Sequence, residues 1–231
     1  MAITQVGPAI SYAHGSLNGI NASGQVICAS NIAVGTPAAG TGVTWVAAVT
    51  QFLDTQPTFI IQNLDTKISI DMVAVKMVST AAATSATSHH YAGVLDTIAR
   101  AVTTNHFAAA AVYTPNSGST PGGFVLPSVS YQTGTTASVI AASSANSRLV
   151  SRGSMGGLNV ACDTFIVKFG SFEGQESVPL TAAQATSVGT RKASDGPVRI
   201  GPGCSYTFTM WAPGQAAALN PDFTIWMAAI N

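Results

Sequence analysis

Apolar residues recur at every second position through the last third of the chain. In Asp163–Phe169, the residues Phe165, Val167 and Phe169 alternate with Thr164, Ile166 and Lys168. In Ser205–Trp211, Tyr206, Phe208 and Met210 alternate with Thr207, Thr209 and Trp211. In Asp222–Ile230, Phe223, Ile225 and Met227 alternate with Thr224, Trp226 and Ala228. A period of two puts the two sets on opposite faces of an extended strand, so each segment predicts a strand with one face in a core. Gly and Pro punctuate these runs, and Gly201, Pro202 and Gly203 read as a hairpin-like turn.

Earlier segments are shorter and less regular. Gln25–Ala33, Val43–Val49, Thr58–Gln62 and Ile68–Val78 predict strands, with a turn from Asn63 to Asp65. Within Ile68–Val78 the parity switches: Ile68, Ile70 and Met72 share one face, then Val73, Val75 and Met77 share the other. Such a switch predicts a bulge near Met72 or a strand buried on both sides. Tyr91–Leu95, Phe107–Tyr113, Ser128–Gln132, Ser138–Ala142 and Arg148–Ser151 read as further strands, and Thr80–Ser88 and Pro115–Gly123 as loops. Leu95, Ile98, Ala99 and Val102 have helical spacing and predict one short helix. Many short strands with little helix give an all-β, jelly-roll-like β-sandwich. No shift in composition divides the chain, so 1–231 reads as a single β-sandwich domain, with 1–24 as an extended N-terminal arm.

Charge changes the picture. Only 8% of the 231 residues are Asp, Glu, Lys or Arg, where an ordinary soluble domain has about 25%. No charge precedes Asp54 and none lies between Arg100 and Arg148. A free monomer keeps itself dispersed with a surface about 25–35% charged. A neutral surface of Ser, Thr and Asn is cheap to bury against a neighbour, because a hydroxyl with a partner costs far less to bury than a charge. Self-association is therefore expected. Nine basic and nine acidic residues cancel, and the first base is Lys67. Net charge thus offers no basic arm for a genome, and direct nucleic-acid binding is not expected. The first ten residues lack the basic and apolar regions of a secretory leader, and no apolar run approaches the ~18 residues of a spanning helix, so no membrane association is expected.

Candidate chemistry is sparse. Cys28, Cys162 and Cys204 are odd in number and widely spaced, and read as buried free thiols. His89 and His90 are adjacent, so in a strand they point to opposite faces and cannot share a metal ion. His14 and His106 lack spaced partners. Glu173 and Glu176 share a loop whose single aromatic is Phe172, which falls short of the aromatic-flanked carboxyl pair of a glycosidase. No nucleophile elbow, phosphate loop or zinc spacing occurs. The chain is not expected to be an enzyme or to carry a cofactor.

The run from Pro197 to Pro213, with its Pro-Gly turn, alternating strand and Trp211-Ala-Pro213, resembles the penultimate strand of bacteriophage virion proteins with a single jelly-roll fold. Val94 to Asp96, Arg100 and Thr114 to Asn116 are similar to the middle of such proteins, while the alanines Ala108–Ala111 depart from it. The resemblance covers about a fifth of the chain and implies an assembly role without catalytic residues. The expectation is a capsid or capsid-decoration subunit, located in the virion after synthesis in the host cytoplasm. It would form trimers or pentamers and contact other virion proteins. Trp45, Trp211, Phe223 and Trp226 are the candidate interface anchors, since aromatics concentrate contact energy. Trp211 and Trp226 lie opposite Phe208 and Phe223 in their strands, so one face of each should be core and the other free for a partner. The alternative is a receptor- or carbohydrate-binding module of a phage tail or fibre.

Overall fold

Backbone pairing makes the period-two segments the centres of two sheets. The computed structural model describes residues 26–32, 52–79, 88–100, 107–114, 125–132, 139, 141–156, 163–170, 190–211 and 221–230. The strands are β1 (Val26–Ser30), β2 (Phe59–Gln62), β3 (Ser69–Ser79), β4 (Ser88–Asp96), β5 (Phe107–Ala109), β6 (Ala111–Tyr113) and β7 (Ser128–Gln132). There follow β8 (Ser147–Gly156), β9 (Thr164–Phe169), β10 (Thr190–Asp195), β11 (Arg199–Ile200), β12 (Ser205–Trp211) and β13 (Pro221–Ile230). One sheet has the order β10-β9-β3-β13-β1-β6, with β11 beside β3; the other has the order β5-β7-β2-β12-β4-β8. Their inner faces share one apolar core, so the fold is an all-β sandwich.

The pairing is nested. β1 pairs with β13, β2 with β12, β3 with β9 and β4 with β8, each antiparallel. The chain therefore doubles back on itself as one long two-stranded ribbon. Successive pairs of that ribbon lie in alternate sheets, so the ribbon must bend across the core at each step.

Asn63 holds one such bend, where β2 leads to β3 and β11 leads to β12. Its backbone N–H donates to Cys204 O (3.0 Å), and its own carbonyl accepts from Gly203 N (3.1 Å). Its side-chain amide donates to Ile68 O (2.9 Å) and Ile200 O (3.1 Å), while Oδ1 accepts from Asp65 N (3.1 Å). Asp65 then accepts from the backbone N–H groups of Lys67, Ile68 and Val125. Those three donors hold its carboxyl below the usual range. Across the bend, Cys204 N donates to Gly201 O (3.1 Å) with Gly203 at φ 71°, a left-handed conformation that glycine adopts without strain. The expected Pro-Gly turn thus forms, but it joins strands of different sheets and is no hairpin.

The parity switch in β3 is a bulge. Trp226 faces Ala74 and Met227 faces Met72, which leaves Val73 as an extra residue. It brings Ile70 and Met72 before it and Val75 and Met77 after it onto the same buried face. Stacked rings fill the middle of the core. Phe59 and Phe208 lie 4.9 Å apart and nearly parallel, Tyr91 stacks on Phe208 (5.6 Å), and Phe223 reaches across from the other sheet to Phe59 (5.4 Å). Each such side chain contributes about 1.5–3 kcal/mol by leaving water. Gly93 and Gly153 make room for this layer. A Cβ on Gly93 would overlap the Tyr206 hydroxyl and Ser151 Oγ, and one on Gly153 would overlap the Tyr91 ring.

Three expectations are corrected. No helix forms among the described residues: Leu95 and Asp96 end β4, Thr97–Ala99 are irregular, and Val102 lies outside the described residues. The ladder contacts of Asp96 with Ser205 and Ser147 commit this segment to the sheet. The apolar run Phe107–Tyr113 splits into β5 and β6, which join different sheets, with Ala110 crossing between them and donating to Val129 O (2.9 Å). Of the expected strand Ser138–Ala142, Val139 forms a bridge and its N–H reaches Thr55 O (3.4 Å), Ala141 and Ala142 are irregular, and Ser138 and Ile140 lie outside the described residues. The strand expected at Val43–Val49 and the loop at Pro115–Gly123 lie outside the described residues.

Asn63→Ala should cost about 2–3 kcal/mol, because two buried carbonyls and the Asp65 N–H lose their partner. Urea unfolding monitored by tryptophan fluorescence checks this; a change below about 0.5 kcal/mol, the level of an ordinary surface substitution, contradicts it.

Candidate interface surfaces

Strand alternation gives each sheet an outer face, and the two are built differently. On the six-stranded sheet Ile60, Ala92, Val94, Ser205, Thr207 and Thr209 point outward yet are buried. Residues 52–58, 97–100 and 141–147 help to cover this face. Arg100, 1% exposed, pins that cover. Its Nη1 donates to Asp96 Oδ2 (3.1 Å) and Thr207 Oγ1 (3.4 Å), and its Nη2 to the carbonyl and carboxylate of Asp54 (3.2 and 3.1 Å). Asp54 Oδ2 also accepts from Ala142 N, Ser147 Oγ donates to Asp96, and Ser205 Oγ donates to Ile98 O (2.7 Å). Burial pushes the Asp96 carboxyl up, against the pull of Ser147 and Arg100. Asp96 and Arg100 are four apart, the spacing of a helical ion pair, but here the pair spans a strand end and a loop.

At the margin of this cover three rings come together. His90 stacks on Trp211 (centroids 5.5 Å apart, 23° between planes), and Phe52 meets the same indole edge-on (5.4 Å). Phe52 is 39% exposed, while Trp211 and His90 are half-buried. Ser154 faces His90 and Arg152 faces Ala92 in the pairing of β8 with β4, both exposed. The result is an aromatic platform with a cationic and a hydroxyl neighbour.

On the seven-stranded sheet Val26, Ala228, Val73, Trp226 and Ile230 form a separate apolar cluster on the outer face. Val26 and Ala228 are buried, whereas Trp226, Val73 and Ile230 are half-buried. Beside this cluster the Tyr113 hydroxyl bonds the Cys28 thiol. Burial pushes the Cys28 thiol up, and its bond to Cys28, with some burial, pushes Tyr113 up to about 12.

A buried polar bridge closes one side of the sandwich between β8 and β10. The Ser151 and Tyr206 hydroxyls share a hydrogen bond (3.0 Å), and the Tyr91 hydroxyl bonds the Asp195 carboxyl. Asp195 also accepts from Gly196 N (3.0 Å) and the backbone of Arg152. Burial pushes the Asp195 carboxyl and both tyrosine hydroxyls up. These groups are sealed under the β4 and β8 glycines and join edge strands from the two sheets. Their placement makes them a structural seam.

The anchors read from the sequence separate clearly. Trp211 and Trp226 lie on outer faces, opposite the core residues Phe208 and Phe223 of their strands. Phe223, 1% exposed, is packed between Phe59 and Tyr131 and has no surface to offer a partner. It is therefore a core residue, and the aromatic of β13 that faces outward is Trp226. Trp45, Cys162, His14, His106, Glu173 and Glu176 lie outside the described residues. His89 shares the inward side of Tyr91 and is buried, whereas His90 faces outward. Cys28 and Cys204 are free thiols. Among the described residues no three His, Cys, Asp or Glu gather as metal ligands. Phe52 and His90 were missed as members of the platform; the parity of His90 with Trp211 on paired strands is visible only once the register is known. Compared with protein-family models, curated proteins and solved structures, the chain finds no match.

Arg100→Met should destabilise by about 3–5 kcal/mol, since Asp96, Thr207 and Asp54 all lose the buried cation that binds them; chemical unfolding measures this directly.

The raised carboxyls also set a pH dependence. Asp96, Asp195 and Asp222 are all raised by burial, so the folded state binds their protons more tightly than the unfolded chain. Stability should fall as pH rises from about 3.9, the ordinary carboxylate value, through their folded values. Asp65, held low, contributes stability that is lost below that same value. Unfolding free energy should therefore be greatest in mild acid, and Asp195→Asn should flatten the descending limb. An unchanged slope in that variant contradicts the assignment.

Proposed function

We propose that this chain is a structural subunit of a virus or phage particle, of capsid or capsid-decoration type, that associates with copies of itself as trimers or pentamers. The nested ribbon carries this reading. Its eight strands, ordered β1-β13-β3-β9 and β2-β12-β4-β8, support a jelly-roll assignment, an architecture shared by viral shell and lectin domains. β5, β6, β7, β10 and β11 are additions to that frame. The charge content of 8% supports assembly, because little ionic desolvation opposes covering the surface. Trp226 in its apolar cluster and Trp211 in its platform are the anchors this reading favours.

A second reading, a receptor- or carbohydrate-binding module of a tail or fibre, is favoured by one observation. The Phe52, Trp211 and His90 platform with Arg152 beside it has the form of a sugar-stacking surface. Glycan-array binding by a stable monomer, lost in Trp211→Ala, would select it over the shell.

Sedimentation velocity and negative-stain microscopy of the purified chain test the first reading. Closed oligomers or shells are expected. Trp226→Asp should weaken association by about 30-fold, the equivalent of a 2 kcal/mol hot spot. A chain that stays monomeric at high concentration overturns the proposal.

A further inference from the structure

The chain is neutral overall, but its charges are sorted by depth. Of the acids among the described residues, Asp65, Asp96, Asp163 and Asp222 are buried and Asp54, Asp71 and Asp195 are half-buried. None is exposed. Of the bases whose side chains are described, Lys67, Arg148, Arg152, Lys168, Lys192 and Arg199 are exposed, Lys76 is half-buried and Arg100 is buried. The acids serve as internal acceptors: Asp65 for three backbone N–H groups, Asp54 and Asp96 for Arg100, and Asp195 for Gly196 and Tyr91. Net charge therefore misstates what a partner meets. Among the described residues the outer skin is cationic.

Three of these cations converge on the outer face of the seven-stranded sheet. Val75 and Met77 of β3, Phe165 and Val167 of β9 and Ala193 of β10 point into the core, so Lys76, Lys168 and Lys192 point out. Lys76 faces Ile166, and Ile166 faces Lys192, so these two lysines sit two strand spacings apart, about 10 Å. Lys168 lies two residues along β9, diagonal to both. None of the three makes an ion pair with a described residue. Thr164, Ser194 and Thr224 place hydroxyls on the same face. The acids of this face do not cancel the patch: Asp71 is held bidentately by Arg199 (2.6 and 2.8 Å), and Asp222 is buried with its carboxyl pushed up by desolvation.

We infer that the part of this face formed by β3, β9 and β10 binds nucleic acid, with Lys76, Lys168 and Lys192 gripping phosphodiester oxygens. Lysine cations interspersed with hydroxyl donors are the groups that hold a nucleic-acid backbone without reading its bases. A bilayer surface fits less well, because none of the exposed large apolar side chains of the described residues lies on β3, β9 or β10 to insert among lipids. The inference replaces the expectation drawn from net charge, and it stands whether or not the chain forms a shell.

The test is fluorescence anisotropy with a short DNA duplex of random sequence, at increasing KCl. Three neutralised phosphates give a log–log salt slope of about −2.7, or about a 40-fold loss of affinity between about 50 and 200 mM. Each of Lys76→Gln, Lys168→Gln and Lys192→Gln should reduce the slope by about 1, while Lys67→Gln, in the β2–β3 turn, should leave it unchanged. Matched circular dichroism melts show that the variants fold. Wild-type chain that ignores the duplex at low salt, or a triple variant that binds like wild type, overturns the inference. So does binding to vesicles of phosphatidylcholine with phosphatidylserine but not to the duplex. Sedimentation of the same triple variant reads association separately, so a failure of self-assembly and a failure of nucleic-acid binding are told apart.

Discussion

Every strand of this sandwich depends on a ribbon that can turn corners, and at one corner a single buried amide satisfies both arms. Asn63 uses its backbone N–H, its carbonyl, both amide protons and its side-chain oxygen in hydrogen bonds to five different residues on the two arms of the corner. Where a two-stranded ribbon leaves one sheet for another, its ladder is interrupted and backbone groups become orphans in a low-dielectric interior. A hydrophobic residue at that point could pack but could not accept or donate. Asp65 performs a related task one step along, converting three loop N–H groups into ligands of one carboxylate.

The same economy runs through the polar interior. Acidic side chains are used where a strongly accepting group must organise backbone: under the cover of the six-stranded sheet, at the seam between β8 and β10, and in the corner. Among the described residues the acids lie inside and most bases outside, so a chain with few charges can still carry a directional field.

Much of the fold was legible from alternation. β9, β12 and β13 follow the period-two runs because each has one face in the core, and the bulge at Val73 was announced by the parity switch in β3. β10, with the sequence TRKASD, was invisible because it is an edge strand whose one apolar residue is Ala193, so it carries no apolar rhythm. The helical spacing of Leu95, Ile98 and Ala99 misled because it straddles a strand end and a loop: Leu95 packs on the core, whereas Ile98 and Ala99 are exposed. The surfaces were harder still. Trp211 and Trp226 could be placed on outer faces by parity, but Phe223 could be assigned to the core only from its neighbours, and the lysine triad exists only through register between three strands distant in sequence.

Nested pairing also sets when this protein can become itself. Ser30 and Phe223 are hydrogen-bonded in the fold yet 193 residues apart along the chain, so the pairing of β1 with β13 waits until β13 has left the ribosome, although β6 on the other side of β1 is made much earlier. The innermost pair, β4 with β8, can close first, and the outer pairs follow as translation supplies them; contacts this distant make for slow closure. The outer face that carries Trp226 does not exist until the last of these strands is in place. Formation of that surface is thereby tied to the arrival of β13, the last of these strands to be made.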